Sequence, residues 1–191
     1  MIKTGIFGGS FNPIHNGHIS LARQLIEKVG LDEVWLMVSP QNPMKQQVDL
    51  LSDETRIQMA RLALEHETHI VASDYEMHLP KPSYTWLTLQ ALRRDYPDRQ
   101  FVLMIGGDNW TIFDKWYHAD DILQHFQVVV YPRRDEQSVK KDLPANVTMV
   151  EAELLDISST EIRQRIREGR SIQKLVPPSV AAFIKKEGLY V

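Results

Sequence analysis

Two short segments carry residue types that can hold phosphate. The first is Gly8-Gly9-Ser10-Phe11-Asn12-Pro13-Ile14-His15-Asn16-Gly17-His18, which follows a strand-like apolar run and opens a helix. His15 and His18 are three apart, so on a helix they share a face. A helix N-terminus presents unpaired N–H groups and partial positive charge, and so attracts anions. Gly8 and Gly9 let backbone amides approach a phosphate closely. Two better-known phosphate loops are excluded by spacing. No Gly-Lys-Ser/Thr follows, as a Walker A loop needs, and the G-x-G-x-x-G dinucleotide spacing fails. A lone histidine pair fits a surface turn equally well. The Gly-Gly pair at the end of a buried strand turns the reading towards a phosphate site.

The second segment is Ile157-Ser158-Ser159-Thr160-Glu161-Ile162-Arg163. Ser158 and Glu161 have capping-box spacing, so a helix starts here. Read alone, that is a well-capped helix. The same groups also make an anion site: free N–H groups, hydroxyls and a guanidinium on the first turns.

Elements that position these segments follow from hydrophobic period. Met1 to Phe7 reads as a buried strand ending in Gly8-Gly9, and a helix follows from about His15 to Val29, stopped by Gly30. Glu33 to Val38 is a second strand, and Ser39 to Leu51 is a loop with two prolines. Ser52 caps a helix running to Glu65. Further strands are expected at His69–Ala72, Phe101–Ile105, Gln127–Tyr131 and Val147–Val150. Further helices are expected at Tyr84–Asp95, Asp120–His125, Ser159–Glu168 and Ser179–Glu187. Strands alternate with helices, and several strands are apolar throughout, as when both faces are covered. The expected fold is α/β: one Rossmann-like, doubly wound parallel sheet. A single domain is expected over residues 1–191, with a helical portion from about residue 158. Ligands of such sheets bind beyond the carboxyl ends of the strands.

The first segment resembles the (H/T)-x-G-H signature of the nucleotidyltransferase superfamily: His15-Asn16-Gly17-His18 matches it in full. The second is similar to the I-S-S-T-x-I-R motif that accompanies it, about 140 residues later and in the expected order. The resemblance implies that His15 and His18 contact ATP phosphates. It also implies an ATP site that includes Gly8, Gly9, Ser10, Phe11, Ser158, Ser159, Thr160 and Arg163.

The acceptor is sought elsewhere. Pro82-Ser83-Tyr84-Thr85, Gly106-Gly107-Asp108, Lys115-Trp116-Tyr117 and Pro132-Arg133 occur in that order. With the G-G-S-F-N-P start, this set is similar to that of bacterial nicotinate mononucleotide adenylyltransferases, across nearly the whole chain. The resemblance implies adenylyl transfer from ATP to nicotinate mononucleotide, giving deamido-NAD and pyrophosphate in NAD biosynthesis. Nicotinamide mononucleotide and phosphopantetheine are the alternative acceptors within the superfamily. Trp116 offers an aromatic face to the flat ring. Backbone amides at Thr85 and Tyr117 are carried over as donors to its carboxylate. Asp108, beside Gly106, would accept from a sugar hydroxyl, and Arg133 would touch the nucleotide. Lys45 is expected at the phosphates with His15, His18 and Arg163, although Pro43-Met44-Lys45 stands where the family usually has Pro-His-Lys. Arg56 is read as an exposed helix position without a role.

Such a reaction needs no protein nucleophile, because the acceptor's phosphate is itself ionised. Catalysis would be in-line positioning and charge neutralisation. Mg²⁺ is expected, bound mainly through ATP phosphates, with no protein metal site.

Composition agrees with an enzyme of this kind. The 191 residues are 43% hydrophobic and 25% charged, with no cysteine, so disulfides and thiolate metal sites are excluded. A reducing, cytoplasmic setting is expected. The formal net charge of −3 argues against nucleic acid as a partner. The run from Ile2 to Phe7 is too short for a signal peptide, and no apolar run nears the roughly 20 residues of a membrane helix. No coiled-coil heptad indicates an oligomeric state.

Overall fold

The computed structural model describes residues 1–40, 49–132 and 143–191. Six strands form one sheet in the order β3-β2-β1-β4-β5-β6, and every neighbouring pair is parallel. The strands are β1 (Ile2–Gly9), β2 (Glu33–Val38), β3 (Ile70–Ser73), β4 (Arg99–Gly106), β5 (Gln127–Tyr131) and β6 (Val147–Met149). The chain moves outward from β1 through β2 to β3, then returns to place β4 on the other side of β1. The carboxyl ends of β1 and β4 therefore flank the topological switch point, where open α/β sheets leave a crevice.

Alternation along the strands divides the core into two layers. Phe7, Leu36, Val38, Val102, Met104, Val129 and Tyr131 face one side. That layer is closed by α1 (Asn16–Val29), α2 (Asp53–Ala63), α6 (Ser159–Arg167) and α7 (Pro178–Glu187), through residues such as Leu25, Met59, Ile162 and Val180. Ile6, Trp35, Met37, Leu103, Ile105, Val128 and Val130 face the other, against α3 (Thr85–Asp95) and α5 (Ala119–His125). The doubly wound α/β architecture expected from the sequence is the one found. No described helix is long and apolar enough to cross a membrane.

Element ends differ from the sequence reading by a residue or two, as is usual where local propensity competes with pairing. One difference affects the site. β1 does not stop at Phe7: Gly8 and Gly9 stay in the strand, paired with Met37 and Val38. The turn comes after them, at Phe11, whose φ is +46°. Three short elements escaped periodicity because they are too brief to show one: a 3₁₀ turn at Tyr75–His78, α4 (Gly107–Thr111) and a 3₁₀ turn at Phe113–Lys115.

Candidate active site

His15 is the N-cap of α1 rather than its first residue. Its backbone is extended, and its Nδ1 accepts from the amide of Gly17 at 3.1 Å. His18 Nδ1 in turn accepts from the amide of His15 at 3.2 Å. The pair thus forms a capping box built from two imidazoles, satisfying two of the orphan N–H groups of the helix start. The bonds fix the chemistry. A ring nitrogen that accepts from an amide carries no proton, so each ring holds its proton on Nε2 and presents it as a donor. The rings stack with centroids 3.6 Å apart and planes 22° apart. Phe11 and Phe7 meet His18 edge-on, at 4.9 and 6.3 Å. A Cβ at Gly9 would lie 3.1 Å from the Phe11 ring, so glycine lets the ring fold back under the strand end.

The second segment lies directly against the first. Ser158 caps α6, accepting from the amide of Glu161 at 3.1 Å. The reciprocal half of the box is replaced, because Glu161 pairs with Arg165. Ser159 Oγ donates to the carbonyl of Pro13 at 2.8 Å, and Arg163 Nη1 to that of Asn12 at 2.8 Å. Arg163 also reaches Thr160 Oγ1 at 3.4 Å. Two helix N-termini, two imidazole donors and a guanidinium thus converge beyond the end of β1, an arrangement suited to a polyanion. Ser10, Ser158 and Thr160 are exposed around it.

The remaining sequence candidates form a second group. Thr85 is the first residue of α3, and the side chain of its N-cap residue makes no capping bond. Tyr84, its N-cap residue, packs on Tyr117 with ring centroids 4.9 Å apart. The start of α3 and the segment around Tyr117 thereby meet through these two rings. Trp116 precedes Tyr117, is half-buried and leans on Phe113 at 5.2 Å. Its Nε1 is buried and has no hydrogen-bond partner, so the ring is held by packing alone. Tyr117 is 47% exposed. Gly106 ends β4 opposite Tyr131, and Asp108 is exposed in α4 just beyond. Phe7 touches Tyr131 at 5.6 Å, which joins the strand ends of the two groups. Lys45 and Arg133 lie outside the described residues.

Sequence reasoning missed four residues that build the site. Arg56 is not an exposed helix position: its side chain is fully buried. Its Nη1 donates to the carbonyls of Ser10 and Ser39 at 2.8 and 2.9 Å, its Nε to that of Leu51 at 3.0 Å, and its Nη2 to Asp53 at 2.6 Å. Asp53 pairs with an otherwise costly buried charge; burial pulls the guanidinium below its ordinary range, and Asp53 opposes that. Asn12 is buried, donates to the carbonyl of Asp49 at 2.9 Å and accepts from Tyr190 Oη at 2.7 Å. Tyr190 is itself buried, and burial raises its phenol above the usual value. Glu76 is the fourth. A signal existed only for Arg56, which shares the apolar stripe of α2 with Met59 and Ala60.

The cytidylyltransferase-like profile matches residues 6–165, a span that includes both motif segments. Among curated proteins, a "Probable nicotinate-nucleotide adenylyltransferase" of Bacteroides fragilis is 48% identical over 93% of this chain and 89% of its own length. A protein of the same name from Flavobacterium johnsoniae is 40% identical over 99% of both chains. Among solved structures, Plasmodium falciparum nicotinic acid mononucleotide adenylyltransferase complexed with NaAD superposes with a TM-score of 0.81, covering 100% of this chain and 98% of that one. At 20% identity that likeness concerns the fold.

Proposed function

The chain belongs to the cytidylyltransferase-like family, and from that premise we propose that it is a nicotinate-nucleotide adenylyltransferase of NAD biosynthesis. It transfers the adenylyl group of ATP to nicotinate mononucleotide, releasing pyrophosphate. Support comes from relatives of that name at 40 to 48% identity over almost the whole chain. The structural observation that carries the reading is the junction of the two motifs. Arg163 and Ser159 bond the loop that leads into His15, across 151 and 146 residues of sequence, at the switch point of the sheet.

A phosphate oxygen of nicotinate mononucleotide attacks the α-phosphorus of ATP. The bond from that phosphorus to the bridging oxygen breaks, and its electrons leave with pyrophosphate. No proton need be taken from the attacking phosphate and no covalent enzyme intermediate is required, so the protein's task is alignment and charge compensation. His15 and His18 supply Nε2–H donors to the α- and β-phosphates. Arg163, with the amides of Ser158, Ser159 and Thr160 and the hydroxyls of Ser158 and Thr160, holds the polyphosphate, and Lys45 joins them. Gly8, Gly9, Ser10 and Phe11 form the floor beneath the nucleotide.

On the acceptor side, Trp116 stacks on the pyridine ring. The amides of Thr85 and Tyr117 bind its carboxylate, where the N-terminal end of α3 favours an anion. Asp108, beside Gly106, accepts from a ribose hydroxyl, and Arg133 binds the nucleotide. Among the described residues no three His, Asp or Glu side chains gather into a metal cage. A Mg²⁺ ion would be carried mainly by ATP phosphates and water. When bound, the ion neutralises charge on the departing pyrophosphate. The setting proposed is cytoplasmic.

The test is pyrophosphate release with ATP and Mg²⁺, comparing nicotinate mononucleotide, nicotinamide mononucleotide and phosphopantetheine. Preference for the first is the expected outcome. Turnover with phosphopantetheine alone would retain adenylyl transfer and remove the roles of Thr85, Trp116 and Tyr117. Release with none of them would end the catalytic reading.

A further inference from the structure

A buried carboxylate links the two groups of site residues. Glu76, in the 3₁₀ turn between β3 and α3, is 7% exposed. Its oxygens serve different neighbours. Oε2 accepts from the hydroxyl of Ser39, and Oε1 from Thr88 Oγ1 at 2.8 Å. Ser39 directly follows β2, and its amide donates to the carbonyl of Gly9 at 2.9 Å. Its own carbonyl accepts from Arg56 Nη1, the nitrogen that also bonds Ser10. Thr88 stands in the first turn of α3. Its hydroxyl lies 3.3 Å from the carbonyl of Tyr84, the residue that starts α3 and packs on Tyr117.

Burial pushes the Glu76 carboxyl up, and the two hydroxyls oppose this. A buried acid of this kind is a poor way to gain stability, since an apolar side chain would fill the space without the desolvation cost. What it does well is hold two groups at a fixed distance and direction.

We infer that Glu76 is a positioning residue for adenylyl transfer: through Ser39 it sets the strand ends beneath the ATP phosphates, and through Thr88 it sets the helix start that receives the nicotinate carboxylate. The inference rests on the assignment of those two groups to ATP and nicotinate mononucleotide proposed above. It predicts a branched effect. Ser39→Ala raises the KM for ATP and leaves that for nicotinate mononucleotide. Thr88→Val does the reverse. Glu76→Ala raises both, each by about 10-fold, the scale of a misplacement well under 1 Å. Glu76→Gln keeps an acceptor oxygen and recovers most of the loss.

Steady-state kinetics on the full chain, varying each substrate in turn, test this, with thermal melting alongside. If Glu76→Ala lowers Tm but leaves both KM values within a factor of two, the role is structural and the inference falls. It falls equally if Ser39→Ala and Thr88→Val move both KM values together. Should Glu76→Ala fail to fold, those two smaller changes decide the matter alone. His18→Ala serves as the control. Normal turnover in that variant removes the site reading and this inference with it, whereas a crippled His18→Ala beside an unaffected branch removes the inference alone.

Discussion

The two sides of the switch point are built by different means. On the side of α1 and α6, directed hydrogen bonds tie the elements together, beside the ring contacts among His15, His18, Phe7 and Phe11: Gly17 N–H to His15, His15 N–H to His18, Ser159 to Pro13, Arg163 to Asn12. On the side of α3 the aromatic side chains are held by packing: Tyr84 on Tyr117, Trp116 on Phe113 with an unbonded indole N–H. The difference suits the ligands proposed for each. A polyphosphate is a set of point acceptors and needs donors at fixed positions. A flat heterocycle is held by area and shape. The first side should therefore fail sharply when one donor is lost, and the second should weaken in proportion to the surface removed.

The largest effect is expected for His18→Ala. It removes one donor and half of the cap, and turnover is expected to fall by about 10²–10³-fold while the fold persists. A near-normal kcat in a pyrophosphate-release assay would show that the stacked imidazoles are merely a helix cap.

Next is Arg56→Ala, which reaches the site only through the loops it ties. It leaves the carbonyls of Ser10, Ser39 and Leu51 without their donor. Losing a buried, paired charge costs about 3 kcal/mol, so Tm should drop by roughly 6–12 °C in a chain of this size. Calorimetry showing an unchanged Tm would mean that water replaces the guanidinium.

Trp116→Ala acts on the side of α3. The KM for nicotinate mononucleotide should rise about 10-fold, in line with loss of one aromatic stack, and the KM for ATP should stay close to its original value. Equal rises in both would place the indole in the general core.

The smallest effect belongs to Tyr190→Phe, which deletes one hydrogen bond to Asn12 and should cost about 1 kcal/mol. Its pH dependence is more telling than its size. Burial raises the folded-state pKa of Tyr190 above the ordinary value, which is near 10. Above that pH the unfolded chain loses the proton and the folded chain keeps it, so the contribution of Tyr190 to stability is constant below about pH 10 and falls as pH climbs. The variant should show a shallower fall, though not a flat one, because Tyr75 is also pushed up, to about 12. Urea midpoints at pH 9 and pH 11 measure both slopes.

The same contrast explains how much could be read in advance. The side of α1 and α6 was legible because its groups lie within two runs of a few residues each, where a helix start imposes spacing: His15 and His18 on one face, Ser158 with Glu161 as a capping pair. Residues on the other side, Thr85, Asp108 and Trp116, are separated by loops and meet through folds of the chain that no local spacing encodes. They could be found only through likeness to a family. Glu76 and Tyr190 were invisible to pattern, since a single polar residue becomes a buried strut only when distant elements close over it. Arg56 was misread by polarity, although it sat on the apolar face of α2.

The α/β class, the alternation of strands and helices, the Gly30 stop of α1 and the caps at Ser52 and Ser158 follow from the sequence. Each of these depends on interactions within a turn or two of chain. Tertiary structure alone decided that Gly8 and Gly9 remain in a strand, that Asn12 gathers Asp49, Arg163 and Tyr190, and that Glu76 stands between Ser39 and Thr88. The physical reason is that a buried polar group needs partners supplied from far along the chain, and which partners arrive is settled only when the two layers close on the sheet.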